Sequence, residues 1–308
     1  MRLLLAFIFL LITTPCRGAS NILVSIAPLH SLVSQLTRGI SEPQLLLPQG
    51  GSPHSASLRP SQARALAQAD LFIWVGPELE SFLTQPVARL VNPQAEMQLL
   101  KMKDLKLFSQ RHGGFWEEDL HEGETKHEPQ SINPHIWLSP YNARQIVSSV
   151  CARLIQIDPT HKSEYQQNLV DLLQRIDRLQ QELQQRLTPV KDRPYLVFHD
   201  AYPYFEKAFS LNAIGSIRIS AERAPGARRL QQIRNKVINS EAICLFTEPQ
   251  FSPALAETLA AGSGLKLGVL DPLGSRSSDG DDGWFKLMDN LADNLINCLG
   301  EEARSQGD

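Results

Sequence analysis

Residues Asn133–Pro140 read N-P-H-I-W-L-S-P, and the chain divides about them. Before this stretch, short β-rich runs alternate with helical patterns. Directly after it comes a long helical connection, and beyond that the alternation starts again. The stretch also carries His135. One imidazole alone says little, but there are two more, His54 in G-G-S-P-H and His199 in L-V-F-H-D, both placed after apolar runs. The three are read here as converging on one metal ion between two lobes.

Working back toward the N-terminus, Asn21–Ile26 is a β-rich run, and Leu32, Val33 and Leu36 follow it at helical spacing until Gly39. His30 falls near the end of that strand and reads as a packed or capping group. Gln44–Leu47 predicts a second strand. The Pro48–His54 segment after it holds two Gly and two Pro, which makes it a turn. Pro60 suits the first turn of a helix reaching Ala69. Leu71–Val75 predicts a third strand, and the amphipathic stretch Leu79–Leu90 leads to Gln98–Leu100. Regular alternation of strand and helix argues for a parallel α/β lobe. Residues 109–131 break the rhythm: they are polar, Gly-bearing and acidic, with His112, His121 and His127. A loop of that length is usually functional or disordered, and its composition fits weak gathering of metal as well as plain solvation.

Working forward, Ile146, Val150, Leu154 and Ile157 give Tyr141–Ile157 a helical stripe. Asp158 can cap and Pro159 can open a second helix that runs to Leu187. That helix should measure roughly 43 Å and should join the halves. Strands are then predicted at Tyr195–Phe198, Leu211–Ile214, Ala242–Phe246 and Leu267–Leu270. Helices are predicted at Gly226–Val237, Ala254–Ala261 and Trp284–Leu299. The fold class is therefore α/β, two parallel-sheet lobes bridged by a long helix. The expected divisions are residues 1–19, 20–140, 141–188 and 189–308.

Residues 1–19 are read as a signal peptide. Met1-Arg2 supplies a positive charge, Leu3–Ile12 is apolar but too short to span a bilayer, and Gly18, Ala19 and Ser20 offer cleavage near residue 19. The remaining protein is expected to be soluble and exported. The full chain's 308 residues suggest about two domains, and its 42% hydrophobic residues are too many for a disordered chain. A net charge of −3 without a basic block argues against nucleic acid as a partner. Cys16 lies in the leader, and lipidation there would point instead to a surface protein of adhesin type. Of the three other cysteines at most one bridge can form, with Cys244 and Cys298 the expected pair in an oxidising compartment. Cys151 sits on the apolar side of its helical pattern and reads as a buried free thiol.

In open α/β sheets, ligands bind beyond the carboxyl ends of the strands. His54, His199, Glu248 and Asp271 all follow predicted strands there. Three imidazoles and an oxygen suit Zn2+. Asp271 is the candidate fourth ligand, with a turn or cap as its other reading. Asp200 and Glu248 are candidates for orienting an imidazole from behind.

The motifs G-G-S-P-H-S-A-S-L-R-P-S, N-P-H-I-W-L-S-P, V-F-H-D-A-Y-P-Y-F, A-P-G-A-R-R-L-Q-Q-I-R, F-T-E-P-Q-F and L-D-P-L-G, in that order, resemble the zinc-binding solute receptors of bacterial ABC importers, the ZnuA-type group. The resemblance covers about Ile22 to Leu299. It implies a periplasmic, non-enzymatic receptor, monomeric, that captures Zn2+ in an interlobe cleft and passes it to a membrane permease. It implies His54, His135 and His199 as ligands, a Cys244–Cys298 disulfide and a His/acidic loop at 109–131. Pro53 stands where some relatives have a carboxylate, so water or Asp271 must fill the fourth place. The rival readings are a manganese or iron receptor of the same fold, which would favour more oxygen ligands, and a zinc hydrolase, for which no H-E-x-x-H pair is present.

Overall fold

The structure is a computed structural model that describes residues 20–48, 50–111, 131–218, 227–238, 240–275 and 282–300. The leader, Cys16 included, and His112, His121 and His127 lie outside the described residues.

The first half forms a parallel sheet from β1 (Ile22–Val24), β2 (Gln44–Leu45), β3 (Leu71–Trp74) and β4 (Glu96–Gln98), in the order β2-β1-β3-β4. Helices α1 (Ala27–Thr37), α2 (Pro60–Gln68) and α3 (Thr84–Leu90) make the crossovers. The second half repeats the plan with β5 (Tyr195–His199), β6 (Ala213–Arg218), β7 (Cys244–Thr247) and β8 (Lys266–Val269), in the order β6-β5-β7-β8. Parallel strands need crossovers of a dozen or more residues, usually helical; here α6 (Pro203–Phe209), α7 (Ala227–Ile238) and α8 (Ala254–Ala260) supply them. Between the halves run α4 (Pro140–Ile157) and α5 (Lys162–Leu187), and α9 (Gly283–Leu299) closes the described chain.

Both faces of each sheet are covered, as parallel sheets require. Along β1, Ile22 and Val24 face a central core while Leu23 faces an outer one with Phe72, Trp74, Leu66 and Val87. Along β5, Val197 faces the centre and Leu196 the outer layer with Leu245 and Ile233. The central core is one continuous body that takes in the inner faces of both sheets and the apolar stripes of α1, α4, α5 and α9. Tyr165, Leu172, Ile176, Leu179 and Leu183 of α5 are buried in it. The lobes therefore share a core, and the bridging helix is part of it.

Several expectations shift in detail. The bridging helix begins at Lys162, because Pro159–His161 form a 3-10 turn, so α5 is about 39 Å long. The predicted β6 moves from Leu211–Ile214 to Ala213–Arg218, since Leu211 instead satisfies the end of α6 by donating its N–H to the Glu206 carbonyl. Helix α6 went unpredicted: its seven residues are too few to show a helical period.

Cys244 at the start of β7 is bridged to Cys298 near the end of α9, a loop of 54 residues. Cys151 is free and buried, its Sγ donating to the Tyr165 carbonyl at 3.5 Å. Ser109 pairs with Ile132 in an antiparallel bridge, and Gln110 N–H donates to Ser131 O, so the two ends of the 109–131 segment are joined. Among the described residues no helix is long and apolar enough to cross a membrane.

Candidate metal centre

The three histidines reach one place by three different local structures. His54 sits in the connection between β2 and α2, where Gly50 takes a left-handed φ of 86° that glycine adopts freely. His135 precedes the 3-10 turn Ile136–Leu138 that leads into α4. His199 is the last residue of β5, so the strand itself aims its ring at the carboxyl edge of the second sheet.

Their ring nitrogens meet. His54 Nε2 lies 3.5 Å from His135 Nε2, which lies 3.3 Å from His199 Nε2. Together they are a group of three whose ligand atoms all fall within 4.8 Å of one another. Trp137, Phe251, Pro53 and Leu273 wall the small cavity they share. His135 and His199 are buried, and His54 is partly buried.

Burial in these walls disfavours a charged ring. It lowers the His54 pKa to about 3, helped by the neighbouring His199. For His135, burial first and then His199 and His54 push the value well below that of a free imidazole. His54 and His135 are thus held as neutral rings whose Nε2 atoms face each other and His199 Nε2, an arrangement open to a cation.

The rings are oriented from behind. Glu248, just after β7, bonds His199 Nδ1 through its Oε1. Burial raises the Glu248 pKa, and His199 partly offsets this. Asn133 Oδ1 lies 3.0 Å from His135 Nδ1. In both rings Nδ1 is engaged and Nε2 is left for the cluster, the usual arrangement for a metal-ligating imidazole.

Two of the expected residues make other contacts. Asp271 does not join the group. Its Oδ1 accepts from Gln250 Nε2 at 2.8 Å and from Leu273 N–H at 3.1 Å, and its Oδ2 accepts from Ser275 Oγ at 2.6 Å. These bonds hold the carboxylate in the turn after β8. Asp200, expected to orient an imidazole, instead gives its carboxylate to Arg111. His30 is not a member of the group and bonds the Pro43 carbonyl through Nε2 at 2.8 Å. The sequence reading missed Asn133 and Arg111. Asn133 could have been found as the polar residue two places before His135; no sequence signal marks Arg111.

Two parallel α/β lobes over a shared helical core, with imidazoles from both lobes meeting between them, define a metal-binding solute receptor. Residues 22–298 match the family described as ZnuA, zinc-uptake complex component A, periplasmic. The chain is 38% identical to the high-affinity zinc uptake system protein ZnuA of Brucella abortus, over 91% of each chain. It is 35% identical to the protein of the same name from Yersinia pestis, over 94% of this chain and 95% of the relative. A crystal structure of ZnuA superposes with a TM-score of 0.75 at 25% identity, covering 91% of this chain and 99% of that one. The chain belongs to the ZnuA family, whose members are substrate-binding proteins rather than enzymes.

Proposed function

We propose that the protein is an exported receptor that binds Zn2+ through His54, His135 and His199 and delivers it to the membrane permease of an ABC importer. One observation carries the reading. The Nε2 separations are 3.3 and 3.5 Å, and nitrogen ligands about 2.0–2.1 Å from a tetrahedral zinc stand about 3.3 Å apart. Three nitrogen donors also favour zinc over manganese, which prefers oxygen.

Water occupies the fourth position in this reading. Gln250 lines the cavity, its Nε2 is held by Asp271, and its buried Oε1 has no hydrogen-bond partner among the described residues. A metal-bound water would supply the donor that this oxygen lacks. The ion is cargo, so binding is reversible coordination with no covalent step. The relatives' names, each a zinc uptake system protein, bring in the permease.

The reading extends to a signal peptide cleaved near residue 19 and a monomeric periplasmic protein without nucleic-acid partners. Its divisions fall at 20–140, 141–188 and 189–308, and His112, His121 and His127 collect the ion weakly. Metal analysis of the untagged mature protein, offered zinc, manganese and iron together, is the test. One zinc per chain is expected, lost in His54→Ala, His135→Ala and His199→Ala. Undiminished zinc in all three would overturn the site.

A further inference from the structure

His135 and His199 come from different halves of the chain, yet one set of hydrogen bonds ties them together behind the rings. Asn133 donates its Nδ2–H to the Asp200 carbonyl at 2.5 Å, a contact that crosses the lobe boundary. A backbone carbonyl only accepts, so this bond fixes which end of the amide is nitrogen. The other end, Oδ1, accepts the His135 backbone N–H at 3.2 Å, a group that only donates. The amide is therefore oriented from both sides. The same Oδ1 lies 3.0 Å from His135 Nδ1, which must carry a proton to bond an oxygen there, and Nε2 must then carry the lone pair.

Asp200, the residue after His199, is held in turn. Arg111 donates its backbone N–H to Asp200 Oδ2 at 3.1 Å and its Nε–H to Oδ1 at 2.9 Å, and pairs with Glu206 on α6. Both carboxylates are buried, at 6% and 5% side-chain exposure. Removing the guanidinium would leave two buried negative charges without their partner.

We propose that Arg111 and Asn133 are positioning residues for metal capture. Arg111 fixes Asp200, Asp200 fixes the Asn133 amide, and the amide sets the His135 tautomer, so that His135 and His199 form an aligned pair before metal arrives. This rests on the zinc-receptor reading above. His54 is then the ligand that completes the site. The lobes need not swing to bring the first two donors together.

The test has two parts. In the metal-free, full-length mature protein, nitrogen-15 NMR of the imidazoles should show His135 protonated on Nδ1 at neutral pH. Asn133→Leu should remove that bias, a change that a merely structural role would not produce. Chelator competition with Zn2+ should show affinity falling about 10- to 100-fold in Asn133→Leu and in Arg111→Met, the range typical of groups that support metal ligands. His135 protonated on Nε2 in the wild type would overturn the proposal, whether or not the variants fold. So would a folded Asn133→Leu that binds zinc as the wild type does. His199→Ala run alongside separates the two claims. If it too binds zinc normally, the site reading has failed; if it alone loses zinc, only the positioning role has failed.

Discussion

His199 Nε2 stands 3.3 Å from His135 Nε2, although 64 residues separate the two in sequence. Neither residue could be replaced by a neighbour on its own element. His199 ends a buried strand, and His135 is the last residue before a buried turn. Two ring nitrogens at this distance can share one cation.

Replacing Asp271 distinguishes a ligand from a support. Because Asp271 supports the cavity from behind, through Gln250 and the Leu273 backbone, Asp271→Asn should lower zinc affinity by about tenfold. Loss of a ligand imidazole should cost about a hundredfold or more, roughly 3 kcal/mol. Isothermal titration under chelator competition measures both. A loss in Asp271→Asn as large as in His135→Ala would restore Asp271 to the ligand set.

Stability of the metal-free protein should depend on pH through two opposed sets of groups. His54, at about 3, and His135, also lowered, remain neutral in the fold while the unfolded chain takes up protons below its ordinary value near 6.5. Their effect is a loss of stability as pH falls from 6.5 toward 3. Glu80, buried and raised to about 7, acts in the opposite direction: it favours the fold below its unfolded value near 4.5, and this is lost as pH rises toward 7. In Glu80→Gln the opposing contribution is gone, so urea midpoints between pH 5 and 6.5 should rise more steeply with pH than in the wild type. An unchanged slope would show that Glu80 is ionised in the fold across this range.

Reduction of Cys244–Cys298 should lower the melting temperature without abolishing zinc binding. The bridge joins β7 to α9 away from the imidazoles and closes a 54-residue loop. In the chain-entropy view this is worth up to about 4 kcal/mol. Scanning calorimetry of Cys298→Ser, paired with zinc stoichiometry, checks it; loss of bound zinc in a still-folded variant would contradict it.

The indole of Trp137 links the lobes: its Nε1–H donates to the Pro272 carbonyl at 2.7 Å, and its own carbonyl accepts from Trp284 Nε1–H at 2.8 Å. Trp137→Phe keeps most of the ring but leaves a buried carbonyl short of a donor. The expected cost is about 1–3 kcal/mol in chemical denaturation.

With such links and a common core, zinc should not draw the lobes together over a large distance. Small-angle scattering curves recorded with and without Zn2+ should nearly superimpose. A marked contraction on adding the ion would show that the links open in solution.

Much of this was present in the order of residues. Alternating β-rich and helical runs set two parallel lobes, because apolar periodicity reflects which faces must be buried. The stripe from Tyr165 to Leu183 gave the bridge for the same reason. His54 and His199 could be singled out because both come after apolar runs, and strand ends are where open sheets bind ligands; His135 stood out through its own motif, N-P-H-I-W-L-S-P. What only the tertiary structure decided was which polar groups face one another. Asp271 and Asp200 both follow strands, and the linear reading offers the first as a ligand and the second as a support. In the fold, Gln250 and Ser275 take the first and Arg111 takes the second, while Asn133 fixes the His135 ring. Hydrogen bonds act over about 3 Å between residues far apart in the chain, so their pairing has no period for a linear reading to detect.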